Sequence, residues 1–247
     1  MESRLAEELR LRYSPVAIIF TDKKPEGALQ FKQGGWGCAI AMFTAAARGK
    51  TAVFDRDTIP CRGATVGLCF GESYHEIPGG IDYLLSTGRG EGYPEGEAYK
   101  KTPELARTLV EQFPIKDIPF TYVVFKPLGL VDESEETPQL VSFYADADQL
   151  SALVVMANYG LPGNENVIIP MAAACSTVCL IPYHESLQER PRAVVGITDI
   201  SGRPFVDADT LAFTVPFAMF KQMEADVPGS FLEKKSWAKV RARIPQS

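Results

Sequence analysis

The sequence predicts an α/β (or α+β) protein, with a mixed, partly parallel sheet flanked by helices in one compact domain spanning residues 1–247. Three observations point there. Val16–Phe20 is a continuous, β-rich apolar run, the pattern of a strand buried on both faces, Phe120–Phe125 reads as another buried strand, and Ala193–Ile197 as a further one. Apolar segments of helical length, 38–48 and 149–159, each stop at a glycine, Gly49 and Gly160. The composition, 46% hydrophobic and 23% charged, is that of a globular chain, and nothing in it reads as an interdomain linker.

In chain order, Leu5, Leu9 and Leu11 with early carboxylates predict a short amphipathic helix ending before Ser14-Pro15, and Pro15 opens the first strand. Gly34-Gly35-Trp36-Gly37 leads into the apolar helix 38–48, and Thr51–Phe54 follows as a strand. Ile81–Leu85 reads as helical. The loop 86–97 holds too many glycines for a regular element and reads either as a solvated loop or as a mobile lid. Thr102-Pro103-Glu104 supplies an N-cap, a first-turn proline and a dipole-compensating carboxylate for a helix through Phe113. Leu140–Tyr144, the helix 149–159 and Asn166–Pro170 then give strand, helix and strand. Thr210–Val215 is a strand, Pro216 opens a helix, and a polar helix with Trp237 closes the chain.

Two stretches repeat one order of events: strand, Asp, buried helix, Gly, strand, Cys. These are about 14–75, reaching Cys61, and 138–185, reaching Cys175, and they suggest two diverged βαβ halves. On that reading Cys61 and Cys175 occupy equivalent places.

Composition excludes several functions. A net charge of -6 argues against nucleic acid, because backbone phosphates require clustered Lys and Arg, and the one basic run, Lys234–Arg243, reads as a solvated helix face. The longest apolar stretches, Cys38–Ala47 and Leu150–Ala157, reach about half of the ~20 residues that span a bilayer, so no membrane segment is expected. The first residues alternate charge with apolar side chains, unlike a signal peptide, and five cysteines suggest reduced thiols in the cytoplasm rather than a disulfide framework. The partners expected are a small molecule or metal cofactor, and a second copy of the chain as a homodimer.

Cysteine is the main candidate for chemistry. Cys38 follows glycines at a helix start, where unpaired amides stabilise an anion and lower a thiol pKa; the same residue also suits plain burial in a helix. Cys61 and Cys69, and Cys175 and Cys179, lack the two-residue gap of zinc ribbons and common ferredoxin sites, so any shared site must be gathered by folding. His75 and His184 lie in polar, turn-like contexts, better suited to the surface than to ligation. No Gly-x-Ser-x-Gly elbow, phosphate loop or dinucleotide fingerprint is present.

An ordered set of residues resembles a known family: Trp36-Gly37-Cys38 before an Ala-rich helix ending Ala47-Arg48-Gly49-Lys50, Ile59-Pro60-Cys61-Arg62-Gly63-Ala64, Lys126-Pro127-Leu128, Ala173-Ala174-Cys175, Ile181-Pro182-Tyr183, Ser201-Gly202-Arg203 and Phe213-Thr214-Val215-Pro216-Phe217. The chain is similar to domain of unknown function 169, prokaryotic proteins without an assigned reaction. The resemblance implies a cytoplasmic protein, common in anaerobic organisms, with Cys38, Cys61 and Cys175 as matched positions. Members often carry a further cysteine before the Gly-x-Arg turn, where this chain has Thr198-Asp199. A four-ligand site would therefore draw on Cys69, Cys179 or Asp199.

The leading expectation is a metal or iron-sulfur cofactor with a redox-related role, held by Cys38, Cys61 and Cys175, since soft thiolates select such centres. Gly35, Trp36, Gly37, Cys38, Arg62 and Arg203 are the candidate cofactor-binding residues. The alternative is a small anionic ligand held at the 34–38 helix start by a regulatory module without metal. A thiol enzyme with Cys38 as nucleophile ranks third, for want of a partner base.

Overall fold

The computed structural model describes residues 1–72, 74, 77–89 and 95–245. Its centre is a seven-stranded mixed sheet: β1 (Val16–Thr21), β2 (Ala52–Phe54), β3 (Tyr122–Pro127), β4 (Leu140–Ala145), β5 (Val167–Ile168), β6 (Ala193–Gly196) and β7 (Leu211–Pro216), in the order β2-β3-β1-β4-β7-β6-β5. Neighbours pair antiparallel throughout except β5 with β6, which are parallel.

Apolar runs become central strands because both faces of the sheet are covered. Val16, Ile18 and Phe20 point to one face, where they pack with Ile40 and Phe43 of α2 (Ala39–Ala47), with Ala64 and Val66 of α3 (Arg62–Gly67), and with Val178 and Leu180 of a π-helical turn, Ser176–Leu180. Ala17 and Ile19 point to the other, against Leu153 and Met156 of α6 (Ala147–Tyr159) and Phe220 and Met223 of α8 (Phe217–Asp226). A strand so placed has no polar side to show, hence no alternation.

Local chemistry sets the helix ends. Asp146 and Gln149 form a reciprocal capping box on α6, and the Thr102 hydroxyl caps α5 (Pro103–Glu111), whose proline stands in the first turn. At the N-terminus, Glu224 of α8 accepts the Arg4 amide at 2.8 Å, holding α1 (Arg4–Glu8) onto the second face. The basic run forms α9 (Lys235–Arg241), and Arg241 and Arg243 pair with Glu8 and Asp148.

Several expectations are corrected. Asn166–Pro170 contributes only Val167–Ile168 to the sheet, at its edge. The segments 62–67 and 176–186, not read as helical, form α3, the π-helical turn and α7 (Ile181–Ser186). In the two repeated stretches, β1 and β4 are antiparallel neighbours, α2 and α6 lie on opposite faces, and β2 stands two places from β1 whereas β5 stands three from β4. Of the Gly-rich loop, residues 90–94 lie outside the described residues; its two stems meet, with the Ala98 amide on the Ser86 carbonyl at 3.0 Å and the Glu97 amide on the Leu84 carbonyl at 2.7 Å. No helix among the described residues is long and apolar enough to cross a membrane.

Candidate functional site

Three cysteines stand at three helix starts on the α2 face of the sheet. Cys38 is the N-cap of α2, Cys61 is the N-cap of α3, and Cys175 immediately precedes the π-helical turn. The Cys61 sulfur accepts the Ala64 amide at 3.4 Å, and the Cys175 thiol donates to the Gly63 carbonyl at 3.4 Å, which ties the third start to the second. Gly67 explains how they come so close: a Cβ there would stand 2.5 Å from the Cys175 sulfur and 2.9 Å from the Ser176 nitrogen.

Cys175 feels both of the other thiols, and Cys38 feels Cys61. Burial pushes the Cys175 thiol up, and the neighbouring Cys61, Cys38 and Asp199 push it further. Burial also raises Cys38, against the amides of Ile40 and Ala41, with smaller contributions from Cys61 and Asp199. Cys61 is raised by desolvation although its residue is exposed at the surface; the amides of Ala64 and Gly63 oppose the shift. The expected lowering of the Cys38 pKa at its helix start is thus overturned, because loss of water around the sulfur outweighs the favourable amides.

Asp199 closes this arrangement from the far half of the chain. It caps the 3-10 turn Ile200–Phe205, accepting the Ser201 amide at 3.2 Å and hydroxyl at 2.7 Å, and it accepts the Ala174 amide at 3.2 Å beside Cys175. Gly202 packs so near that a Cβ would lie 2.6 Å from that of Ala174. The approach is strained: Ile197, a buried β-branched residue, has φ +59, and its amide is held by the Thr177 hydroxyl at 3.0 Å. Tyr99, on the second stem of the Gly-rich loop, lies beside Asp199; its phenol is raised by burial first and then by that carboxylate.

The remaining sequence candidates divide. Gly35 and Gly37 permit tight packing: a Cβ on Gly35 would meet the Lys32 carbonyl oxygen at 2.8 Å, and one on Gly37 would strike the Phe31 ring at 2.2 Å. Trp36 is 84% exposed beside Cys38, an indole free to meet a ligand or a partner. Arg62 is exposed on the first turn of α3. Arg203, grouped by sequence with the cofactor residues, turns into its own loop, donating to the carbonyls of Thr210 at 2.5 Å, Ala208 at 2.9 Å and Asp207 at 3.1 Å. Cys69 and Cys179 are fully buried and interact with each other, and Cys179 is pushed well up by burial and then by Cys69. Asp199, by contrast, is only partly buried and accepts the Ala174 amide beside Cys175. His75 lies outside the described residues, and His184 sits on α7 with Nε2 3.3 Å from Gln188.

Tyr74 and Ser176 were missed by sequence reasoning. Tyr74 is buried, and its phenol is raised by burial, then by Cys175 and Glu72. Neither residue forms a motif, and only the folded proximity to Cys175 reveals them. The donors are soft and suit thiolate-bound metals, yet among the described residues no three His, Cys, Asp or Glu side chains are placed to hold one metal ion.

Residues 4–226 match the family model of domain of unknown function 169, described as uncharacterised ArCR, and the chain belongs to that family. No curated protein and no solved structure matches it.

Proposed function

We propose that this family member binds a small cofactor where three helix starts each present a cysteine, and that the occupant is an iron-sulfur cluster or another thiolate-bound soft metal. One observation carries the reading: Cys38, Cys61 and Cys175, far apart in the chain, are gathered at neighbouring helix starts, where Cys175 donates to the Gly63 carbonyl of α3 and is raised by both Cys61 and Cys38, and backbone amides approach each sulfur. Amide hydrogen bonds to sulfur are among the means by which proteins hold and tune such clusters. Raised pKa values keep the thiols protonated when empty; uptake must release protons and strengthen as pH rises. Free thiols suit a reducing compartment, and we place the protein in the cytoplasm.

The test is anaerobic purification and reconstitution with ferrous iron and sulfide, followed by visible absorbance and iron and sulfide assays. Uptake that is lost in Cys38→Ser, Cys61→Ser and Cys175→Ser supports the reading; a colourless, metal-free protein after reconstitution refutes it.

A second reading is favoured by the neutral thiols themselves. Without thiolate charge, the amides at these helix starts are left to a small anion, bound without metal. Thermal stabilisation of metal-free protein by inorganic phosphate or sulfate, abolished in the same variants, would select it.

A further inference from the structure

Two thiols in the core lie against each other. Cys69 and Cys179 are both 0% exposed, belong to the same cluster of buried side chains, and Cys69 is the hydrogen-bonding side-chain neighbour of Cys179. Tyr183, half-buried on α7, senses both sulfurs, so the two thiols also share a neighbour. The pair is separate from Cys38, Cys61 and Cys175, and nothing said of those three uses it.

Both main chains are held. Cys69 follows the last turn of α3, where its amide meets the Val66 carbonyl at 3.1 Å and the Phe70 amide meets that of Thr65 at 2.9 Å, the two bonds of a helix stop that favours glycine. This chain places Cys69 there at φ +65, a left-handed backbone that costs a residue with a side chain. The Cys69 carbonyl then accepts the Ile118 amide at 3.0 Å. Cys179 stands in the π-helical turn, which Gly67 and Gly196 hem in from two other elements. What each thiol keeps is rotation about its own side-chain bond. A strained position is thus occupied by a residue whose side chain meets Cys179.

We propose that Cys69 and Cys179 are a redox pair, which hydrogen peroxide oxidises to a disulfide joining the end of α3 to the π-helical turn. Two thiols and one peroxide give one disulfide and two waters. One sulfur attacks a peroxide oxygen, the O–O bond breaks, and the first water leaves with the thiol proton; the second sulfur displaces the hydroxyl of the resulting sulfenic acid, which departs as the second water. The sulfurs lose two electrons and the peroxide gains them. Because α3 begins after Cys61 and the π-helical turn after Cys175, the bond ties together the elements that present those two thiols. In a reducing compartment such a bond is a transient response to oxidant. It needs no occupant of the three-thiol site.

The test treats the folded, metal-free protein with hydrogen peroxide, blocks remaining thiols with iodoacetamide in denaturant, and maps linked peptides by mass spectrometry without reductant. A Cys69–Cys179 linked peptide that dithiothreitol removes is expected in wild type and in Cys61→Ser, which lacks the exposed thiol. The bridge closes a long loop, so the oxidised protein should melt about 5–15 °C above the reduced one. Cys69→Gly, which suits the left-handed backbone, and Cys179→Ala should each lack the linked peptide and the oxidation-dependent rise. Cys69 and Cys179 that stay free after peroxide has oxidised Cys61 overturn the proposal. So does a bridge from either of them to Cys175, a bridge that appears only in denatured protein, or a bridged protein that melts below the reduced one. Iron uptake enters none of these readouts, so failure here leaves the three-thiol site standing, and loss of that site leaves the pair.

Discussion

Replacing Arg203 by Ala should destabilise the fold without directly removing a ligand contact. Its guanidinium spans the loop between β6 and β7, reaching the carbonyls of Thr210 at 2.5 Å, Ala208 at 2.9 Å and Asp207 at 3.1 Å, with a longer approach of 3.5 Å to Ile197. Hydrogen bonds to a charged group contribute about 1.5–3 kcal/mol each, and partial exposure of this loop discounts three of them to roughly 2–4 kcal/mol in all. In a chain of this size that corresponds to a fall of about 5–15 °C in melting temperature. Arg203→Lys keeps the charge but not the planar fork and should lose about half as much. Urea unfolding followed by circular dichroism reads both variants, with an unchanged slope showing that only stability has moved. If Arg203→Ala unfolds within about 0.5 kcal/mol of wild type, the typical scatter of a neutral surface change, and yet cannot be reconstituted, the guanidinium serves the occupant and the loop-bracing argument fails.

Gly67→Ala should cost about 1–3 kcal/mol by overpacking against Cys175 and Ser176, and should depress cofactor uptake, while Gly63→Ala, with nothing within 4 Å of its added methyl, should do neither; calorimetry and reconstitution of the pair check this. Alkaline pH should weaken the fold. Cys175 and Cys179 hold their protons more tightly folded than unfolded, so stability is intact below the unfolded thiol pKa of about 8.5 and falls above it by up to about 1.4 kcal/mol per pH unit per thiol. Urea midpoints from pH 7 to 10 that stay flat would contradict the burial argument. Alkylation by iodoacetamide at neutral pH should be slow and ordered, Cys61 first and Cys38 next, with Cys69, Cys175 and Cys179 modified only on unfolding; peptide mass mapping gives the order.

What was legible in the sequence was what neighbouring residues decide. Val16–Phe20 reads as a two-sided strand because each side chain must be apolar there, and Thr102-Pro103-Glu104 reads as a helix start because cap, proline and carboxylate act within one turn. The position of Cys38 at a helix start was legible from the glycines before it. Cys61 as a cap was not: Arg62–Gly67 contains two glycines and no periodic apolar face, and α3 forms because Ala64 and Val66 are buried by residues far along the chain. The π-helical turn has no local code either, its geometry being held by Gly67 and Gly196 from two other elements.

The sign of the Cys38 shift shows the same limit. A helix start stabilises charge and is visible in sequence, whereas desolvation depends on what packs over the sulfur and is visible only in the fold; here the second effect is larger. Arg203 belongs to the same class, since its acceptors are backbone carbonyls that no side-chain pattern announces. Gly67 and Gly202 sit where a methyl group would collide with Ser176 or Ala174, on the two flanks of Cys175. The short motifs around 61–67, 173–175 and 201–203 therefore describe how three segments are allowed to touch. The proposed site is conditional on that contact, which is why a methyl group at Gly67, aimed at the Cys175 sulfur and the Ser176 nitrogen, tests it directly.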